Sequence, residues 1–177
     1  MRRGDTAIDG AYVLELDRIT DGRGFFAEAF QRETFRALGL ETGIAQVNLS
    51  YNDQAGTLRG MHYQTAPHQE VKIVRCVRGV VFDVAIDLRP GSPTFGKWAG
   101  IELSADNRRA LYVPRGCAHG YQTLTDDTEV LYLVSDLYSP AHYRGVRWDD
   151  PFFGIDWPST RERHLHPRDA AYPDFQP

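Results

Sequence analysis

Short runs of apolar and β-branched residues recur along the chain. They are Ala11–Leu16, Ile44–Tyr51, Leu58–Tyr63, Val71–Val77, Val80–Ile86, Trp98–Leu103, Ala110–Val113 and Thr128–Val134. Each has the length of a strand. Turn-forming clusters such as Asp53-Gln54-Ala55-Gly56 and Arg89-Pro90-Gly91-Ser92-Pro93 separate several of them. Gly frees φ and Pro fixes it where a chain reverses, so these clusters read as turns. Many short strands with such turns predict an all-β sandwich or barrel. One short helix is predicted near Arg32–Leu38, ending toward Gly39. Asp106 to Arg109 reads as a turn. Beyond Trp157-Pro158 the chain is polar and Pro-rich, and is either loose or laid over the body of the domain. No repeat, low-complexity segment or internal boundary is visible, so residues 1–177 read as one domain.

Side chains alternate between the two faces of a strand. Along Leu58–Tyr63 this puts Gly60 with His62 on one face, and Arg59, Met61 and Tyr63 on the other. Lys72 falls with Val74 and Cys76, and Tyr132 with Val130 and Val134. A His, a Lys and a Tyr thus each sit among small or apolar neighbours. If those faces line a barrel interior, three titratable groups converge in a low-dielectric pocket. Alternation alone does not bring them together.

Charge narrows the partners. Lys and Arg number 20 against 24 Asp and Glu, for a net charge of -4. A mildly acidic chain suits neither nucleic acid nor an anionic membrane surface. No apolar run approaches the ~20 residues of a membrane-spanning helix. Met1-Arg2-Arg3-Gly4-Asp5 lacks the apolar stretch of a signal peptide. Two cysteines, Cys76 and Cys117, make no disulfide framework, and a reducing cytoplasm is the expected compartment. Only Lys72 and Lys97 are lysines, so a Lys between Val71 and Ile73 stands out.

The candidate chemistry has a plain alternative at each position. A lone strand His is more often structural, but His62 is also a candidate general base, since imidazole titrates near neutral pH. Lys72 is either a snorkelling side chain or a cation held to stabilise an oxyanion. Tyr132 is ordinary core material or a buried general acid. Tyr138 suits stacking at a loop edge. Arg23 and Arg59 flank apolar segments, and Arg forks match phosphate oxygens. No Gly-rich phosphate loop is present. Pro114-Arg115-Gly116-Cys117-Ala118-His119 has the pattern of a cupin's second motif, yet the first motif's His-x-His pair is missing. His62, His68, His119, His142, His164 and His166 therefore give no clear ligand set, and no metal is expected.

Read in order, these segments resemble the dTDP-4-dehydrorhamnose 3,5-epimerase family of nucleotide-sugar epimerases, from about Gly22 to Trp157 with a weaker echo to Asp169. The resemblance is carried by Arg23-Gly24-Phe25-Phe26-Ala27-Glu28, Gln46-Val47-Asn48, Leu58-Arg59-Gly60-Met61-His62-Tyr63-Gln64 and Val71-Lys72-Ile73-Val74-Arg75-Cys76. It continues through Phe82–Arg89, Gly91–Thr94, Pro114–Gly120 and Tyr132–Pro140 to Asp150-Pro151 and Trp157-Pro158. It implies a cupin-like jelly-roll β-barrel with a few short helices. It also implies His62 as catalytic base, Asp169 as its acidic partner, Lys72 beside the sugar's keto oxygen and Tyr132 as the acid on the opposite face. Arg23, Glu28, Gln46, Asn48, Arg59, His119 and Tyr138 match substrate-contact positions, and Phe26 packs near the nucleotide. Arg115 stands where the family usually has an acidic residue, and Cys117 where an aromatic is common. Both positions are expected at the pocket mouth, where they bear on which sugar nucleotide is accepted.

The implied reaction needs no metal or organic cofactor. A 4-keto group acidifies the protons on C3 and C5. A base removes one, a cation holds the enolate and an acid returns a proton on the other face. Family resemblance further implies a homodimer whose N-terminal segment crosses to the neighbour, so that Arg23 and Glu28 serve the partner's pocket. A sugar-nucleotide ketoisomerase, a metal-dependent cupin oxygenase or isomerase, and a catalytically silent sugar-nucleotide binder are the rival readings.

Overall fold

The apolar runs become the strands of two sheets in a computed structural model that describes residues 1–177. The elements are β1 (Arg2–Asp5), β2 (Tyr12–Glu15), β3 (Ile19–Asp21), β4 (Gly24–Phe26), α1 (Arg32–Ala37), β5 (Gln46–Asn52) and β6 (Thr57–Gln64). They continue with β7 (Lys72–Arg78), β8 (Val80–Asp87), β9 (Trp98–Ser104), β10 (Ala110–Val113), β11 (Cys117–Thr123), β12 (Thr128–Val134), β13 (Tyr143–Gly145), β14 (His164–Leu165) and α2 (Pro167–Ala170). The first sheet has the order β1-β2-β10-β7-β12-β5. The second has the order β13-β6-β11-β8-β9, with β14 added parallel to β6. The remaining ladders are antiparallel, and β3 and β4 form a separate hairpin. This is the all-β, cupin-like jelly roll expected.

Alternation holds where each sheet buries its inner face. Val74, Cys76, Leu111, Val113 and Val130 of the first sheet meet Val81, Ala85, Leu103, Cys117 and Tyr121 of the second. Each fully buried aliphatic or aromatic side chain contributes about 1.5–3 kcal/mol. The outer face of the first sheet, with Leu14, Ile73, Ala110 and Tyr112, is covered by Phe35 of α1 and by Leu40. Helix α1 starts at Gln31, whose side chain accepts from the Thr34 amide, and stops before Gly39, which takes φ +70°. The outer face of the second sheet, with Met61, Val84, Ile86 and Ala118, packs under Val146, Phe153, Trp157 and Phe175. The tail is therefore laid over the body, and α2 within it contacts β6.

Two departures from the sequence pattern matter for the site. Strand β11 is absent from the apolar runs, yet every residue in it is buried. It lies between β6 and β8, so its polar side chains find partners inside the protein: His119 meets Asp83, and Gln122 accepts from Arg163. Strand β6 breaks its alternation. His62 pairs with His119 but Arg59 pairs with Tyr121, so β6 carries one extra residue between these rungs. This bulge turns both Arg59 and His62 inward, where strict alternation placed them on opposite faces. Gly60 permits it: φ is +122°, and a Cβ there would meet the Gly120 Cα at 2.6 Å.

Candidate active site

The inner faces enclose a cleft of about 410 Å³. Strand β5 gives it Gln46, Asn48 and Ser50, β6 gives Arg59 and His62, and β7 gives Lys72. Strand β11 adds His119 and Tyr121, and β12 adds Tyr132 and Val134. Glu70, Tyr138, Tyr143 and Arg168 complete the lining.

His62 Nε2 lies 2.8 Å from Asp169 Oδ1, and Asp169 Oδ2 accepts from the Gly60 amide at 3.1 Å. With Nε2 committed, Nδ1 is the ring nitrogen left without a protein partner. Burial pushes the His62 imidazole below its usual pKa, although Asp169 pulls it partly back. A neutral imidazole beside a fixed carboxylate is a competent base. Burial alone would raise the Asp169 carboxyl, but the His62 bond, the Gly60 amide and Arg168 together hold it below the usual range. Lys72 is 9% exposed, with Nζ 3.2 Å from Glu70 Oε1. Glu70 in turn accepts from Gln64 Nε2 at 3.1 Å. Burial raises the Tyr132 phenol pKa, which keeps its proton in place. Arg59 is aimed by Asn52, whose Oδ1 accepts from Nε at 2.7 Å, and by the Tyr51 carbonyl. The arrangement joins an imidazole, a phenol and three cationic side chains, Arg59, Lys72 and Arg168, across one cavity.

The family model described as dTDP-4-dehydrorhamnose 3,5-epimerase matches residues 5–177. The chain belongs to the dTDP-4-dehydrorhamnose 3,5-epimerase family. This epimerase is 43% identical over 182 residues to the dTDP-4-dehydrorhamnose 3,5-epimerase of Sinorhizobium fredii, across 97% of this chain and 93% of that one. The Bacillus anthracis dTDP-4-dehydrorhamnose 3,5-epimerase, solved with TDP and PPi bound, superposes with TM-score 0.94 at 40% identity, covering 98% of this chain and 99% of that chain. The Legionella pneumophila 3,5-epimerase, solved in complex with dTDP-4-keto-L-rhamnose, gives TM-score 0.90 at 37% identity over 99% of both chains. These matches favour an epimerase over a ketoisomerase or a metal-dependent oxygenase.

In the epimerase, His62, Lys72, Tyr132, Gln46, Asn48, Arg59, His119 and Tyr138 all line the cleft, and Asp169 backs His62. Arg23, Phe26 and Glu28 do not line it. Arg23 sits in the turn between β3 and β4, bonded to Asp21, with its side chain 91% exposed. Sequence reasoning missed Ser50, Glu70, Tyr121, Tyr143 and Arg168 as lining residues, and Asp83 behind His119. Ser50 and Tyr121 lie two residues beyond Asn48 and His119, so strand periodicity pointed to them. Glu70 precedes Lys72 by the same step. Tyr143, on a three-residue edge strand, left no such signal. Arg115 and Cys117 are not at the mouth as expected: Arg115 donates to Glu41 at 2.6 Å, and Cys117 is buried in the inter-sheet core. Neither lines the cleft. No group of three or more His, Cys, Asp or Glu side chains forms a metal-binding cluster.

Proposed function

We propose that the epimerase acts on a dTDP-linked 4-keto-6-deoxy sugar and inverts C3, C5 or both, in deoxysugar biosynthesis. The observation that carries the mechanism is that the His62–Asp169 dyad, Lys72 and Tyr132 share one cleft. His62 Nδ1 removes a proton from the carbon next to the ketone. Lys72 holds the enolate oxygen, and such charge stabilisation is usually the largest single contribution to rate. Tyr132 returns a proton on the opposite face. Arg59 and His119 hold the diphosphate and supply orientation. Tyr138, at the exposed rim and edge-on to Tyr143 at 5.3 Å, stacks on the base. The dTDP sugar and the TDP held by two relatives support this substrate class.

The working unit in this reading is a homodimer. Val47 and Leu49 on the edge strand β5 are 60% and 61% exposed, and Tyr51 continues the stripe. Ile19 and Phe26 of the β3–β4 hairpin are also exposed. Contiguous exposed apolar surface of this kind marks a protein contact. A hairpin lying on the partner would carry Arg23, Phe26 and Glu28 to the partner's cleft. We read residues 1–177 as one domain working in a reducing cytoplasm, with burial pushing Cys76 and Cys117 up to about 11 and about 12 and leaving both thiols inert.

The test is solvent-deuterium incorporation, followed by NMR on dTDP-4-keto-6-deoxy-D-glucose. Exchange at C3 or C5 is expected, and His62→Ala abolishes it. Tyr132→Phe keeps exchange but loses inversion, whereas full inversion by that variant removes Tyr132 from the mechanism. No incorporation at either carbon across dTDP- and CDP-linked substrates overturns the reading.

A further inference from the structure

Asp169 reaches His62 from α2, a helix of four residues. A single helical turn does not hold its shape in water by itself, so the flanking chain fixes where Asp169 stands. Upstream, β14 pairs with β6, and the His164 amide donates to the Gly56 carbonyl at 3.0 Å. Downstream, the chain joins no strand. Three side-chain contacts hold it there instead.

Tyr172 comes first. It lies on Gly145, the residue that faces His62 across the β13–β6 ladder. A Cβ at Gly145 would meet the Tyr172 ring at 2.2 Å, so the ring fills the space a side chain would take. Asp174 follows, with Oδ1 2.7 Å from Arg147 Nη1. That pair is largely exposed and contributes little. Phe175 is the third. Its ring centre stands 5.0 Å from that of Phe153 and 5.5 Å from that of Phe152. Its amide donates to Asp150 Oδ2 at 2.6 Å.

Asp150 is 2% exposed, and its other oxygen accepts from the Phe152 amide at 2.9 Å. Two backbone amides are thus the donors to a buried carboxyl group, and the tail supplies one of them. Leaving such an oxygen without its donor is costly. Asp150 therefore captures the tail backbone at the point where the tail also packs an aromatic ring. Neither Asp150 nor Phe175 lines the cleft.

We infer that Asp150 and Phe175 are positioning residues that form a latch. By pinning the chain six residues beyond Asp169, they hold the Asp169 carboxylate against His62 and the Gly60 amide. They touch no substrate and act through Asp169. The effect on turnover rests on the epimerase reading above, whereas the placing of Asp169 does not.

The experiment uses the full-length protein and the variants Asp150→Asn, Phe175→Ala and Phe175→Leu, each alone and combined with Asp169→Ala. The first readout is amide hydrogen exchange by NMR. The Gly60 amide, which donates to Asp169, should lose about 10-fold in protection in Asp150→Asn and Phe175→Ala. Amides of the β8–β11 ladder should keep theirs. Unchanged protection at Gly60, or an equal loss across both regions, overturns the latch. The second readout is kcat for deuterium exchange at saturating dTDP-4-keto-6-deoxy-D-glucose. Asp150→Asn and Phe175→Ala should each lose about 10-fold, and Phe175→Leu should stay within about 2-fold of the unmodified protein. In the Asp169→Ala background the latch variants should cost nothing further, because the group they position is gone. Losses that multiply there overturn the inference. Should Asp150→Asn fail to fold, Phe175→Ala carries both readouts, since Phe175 is only half-buried. An unmodified protein that shows no deuterium exchange sinks the epimerase reading instead, and Gly60 protection still decides the latch.

Discussion

Replacing Asp169 should be more damaging with the isosteric residue than with a truncated one. Asp169 is 2% exposed, so solvent does not screen its bond to His62. It accepts on both oxygens, from His62 through Oδ1 and from the Gly60 amide through Oδ2. In Asp169→Asn, the amide oxygen is the one group able to accept from the Gly60 N–H, which turns the NH₂ toward His62 Nε2. A donor facing Nε2 forces the proton to Nδ1, the atom proposed as base. A catalytic His locked in the wrong tautomer loses about 10⁴-fold in rate. Asp169→Ala removes the partner but leaves both tautomers open. Losing one hydrogen bond to a charged group costs about 1.5–3 kcal/mol, or roughly 10- to 100-fold. The assay is kcat/KM for deuterium exchange against pH, with thermal unfolding to confirm the fold. The acid limb should lie below the ordinary imidazole range, because burial lowers the His62 pKa. It should move lower still in Asp169→Ala, because the carboxylate was raising it. An Asn variant as active as the Ala variant, or more so, would refute the tautomer argument.

Three further outcomes follow from the same geometry. Gly60→Ala forces a Cβ to 2.6 Å from Gly120 Cα at φ +122°, and should cost at least about 2 kcal/mol in denaturant unfolding; unchanged stability would mean the bulge is not required. Leu49→Asp places charge on the exposed β5 stripe, so sedimentation should show monomers with slower exchange, and an intact dimer would put the interface elsewhere. Acid should destabilise the fold in two stages. His62 has a folded pKa below 6.5, so its contribution is present above 6.5 and is lost as pH falls toward the folded value. Burial would raise Asp87, but Arg89, Ser92 and Thr94 hold it well below 3.8, so its contribution is present above 3.8 and lost below it. Asp87→Asn should weaken only the lower stage of a pH series of unfolding temperatures, and a flat upper stage would contradict a buried neutral His62.

Most strands were legible because burying one face of a sheet imposes a period of two, and Val71–Val77 and Thr128–Val134 keep it. Lys72 was therefore grouped correctly with Val74 and Cys76, and Tyr132 with Val130 and Val134. Arg59 was not, since one extra residue at Gly60 reverses the parity of everything before it, and a bulge leaves no mark in hydrophobic periodicity beyond the glycine itself. β11 was illegible as a strand for a different reason. Both its faces are buried, so its His119 and Gln122 interrupt the apolar run while being satisfied inside the protein. The approach of Asp169 to His62 lies beyond local pattern altogether, because it depends on how the tail wraps the second sheet.

Asp83 marks where periodicity held more information than the apolar runs alone convey. It shares a face with Val81 and Ala85, both in the core between the sheets. A carboxylate at an inward position of an apolar strand conflicts with its surroundings, and local conflicts of that kind concentrate at functional sites. Lys72 conflicts with Val74 and Cys76 in the same way, as does Tyr132 with Val130 and Val134. These three breaks lie at or next to the cleft, on β7, β8 and β12. A strand can keep such a residue only if a neighbouring strand supplies its partner. For Asp83 that partner is His119, on the one central strand whose composition hid it.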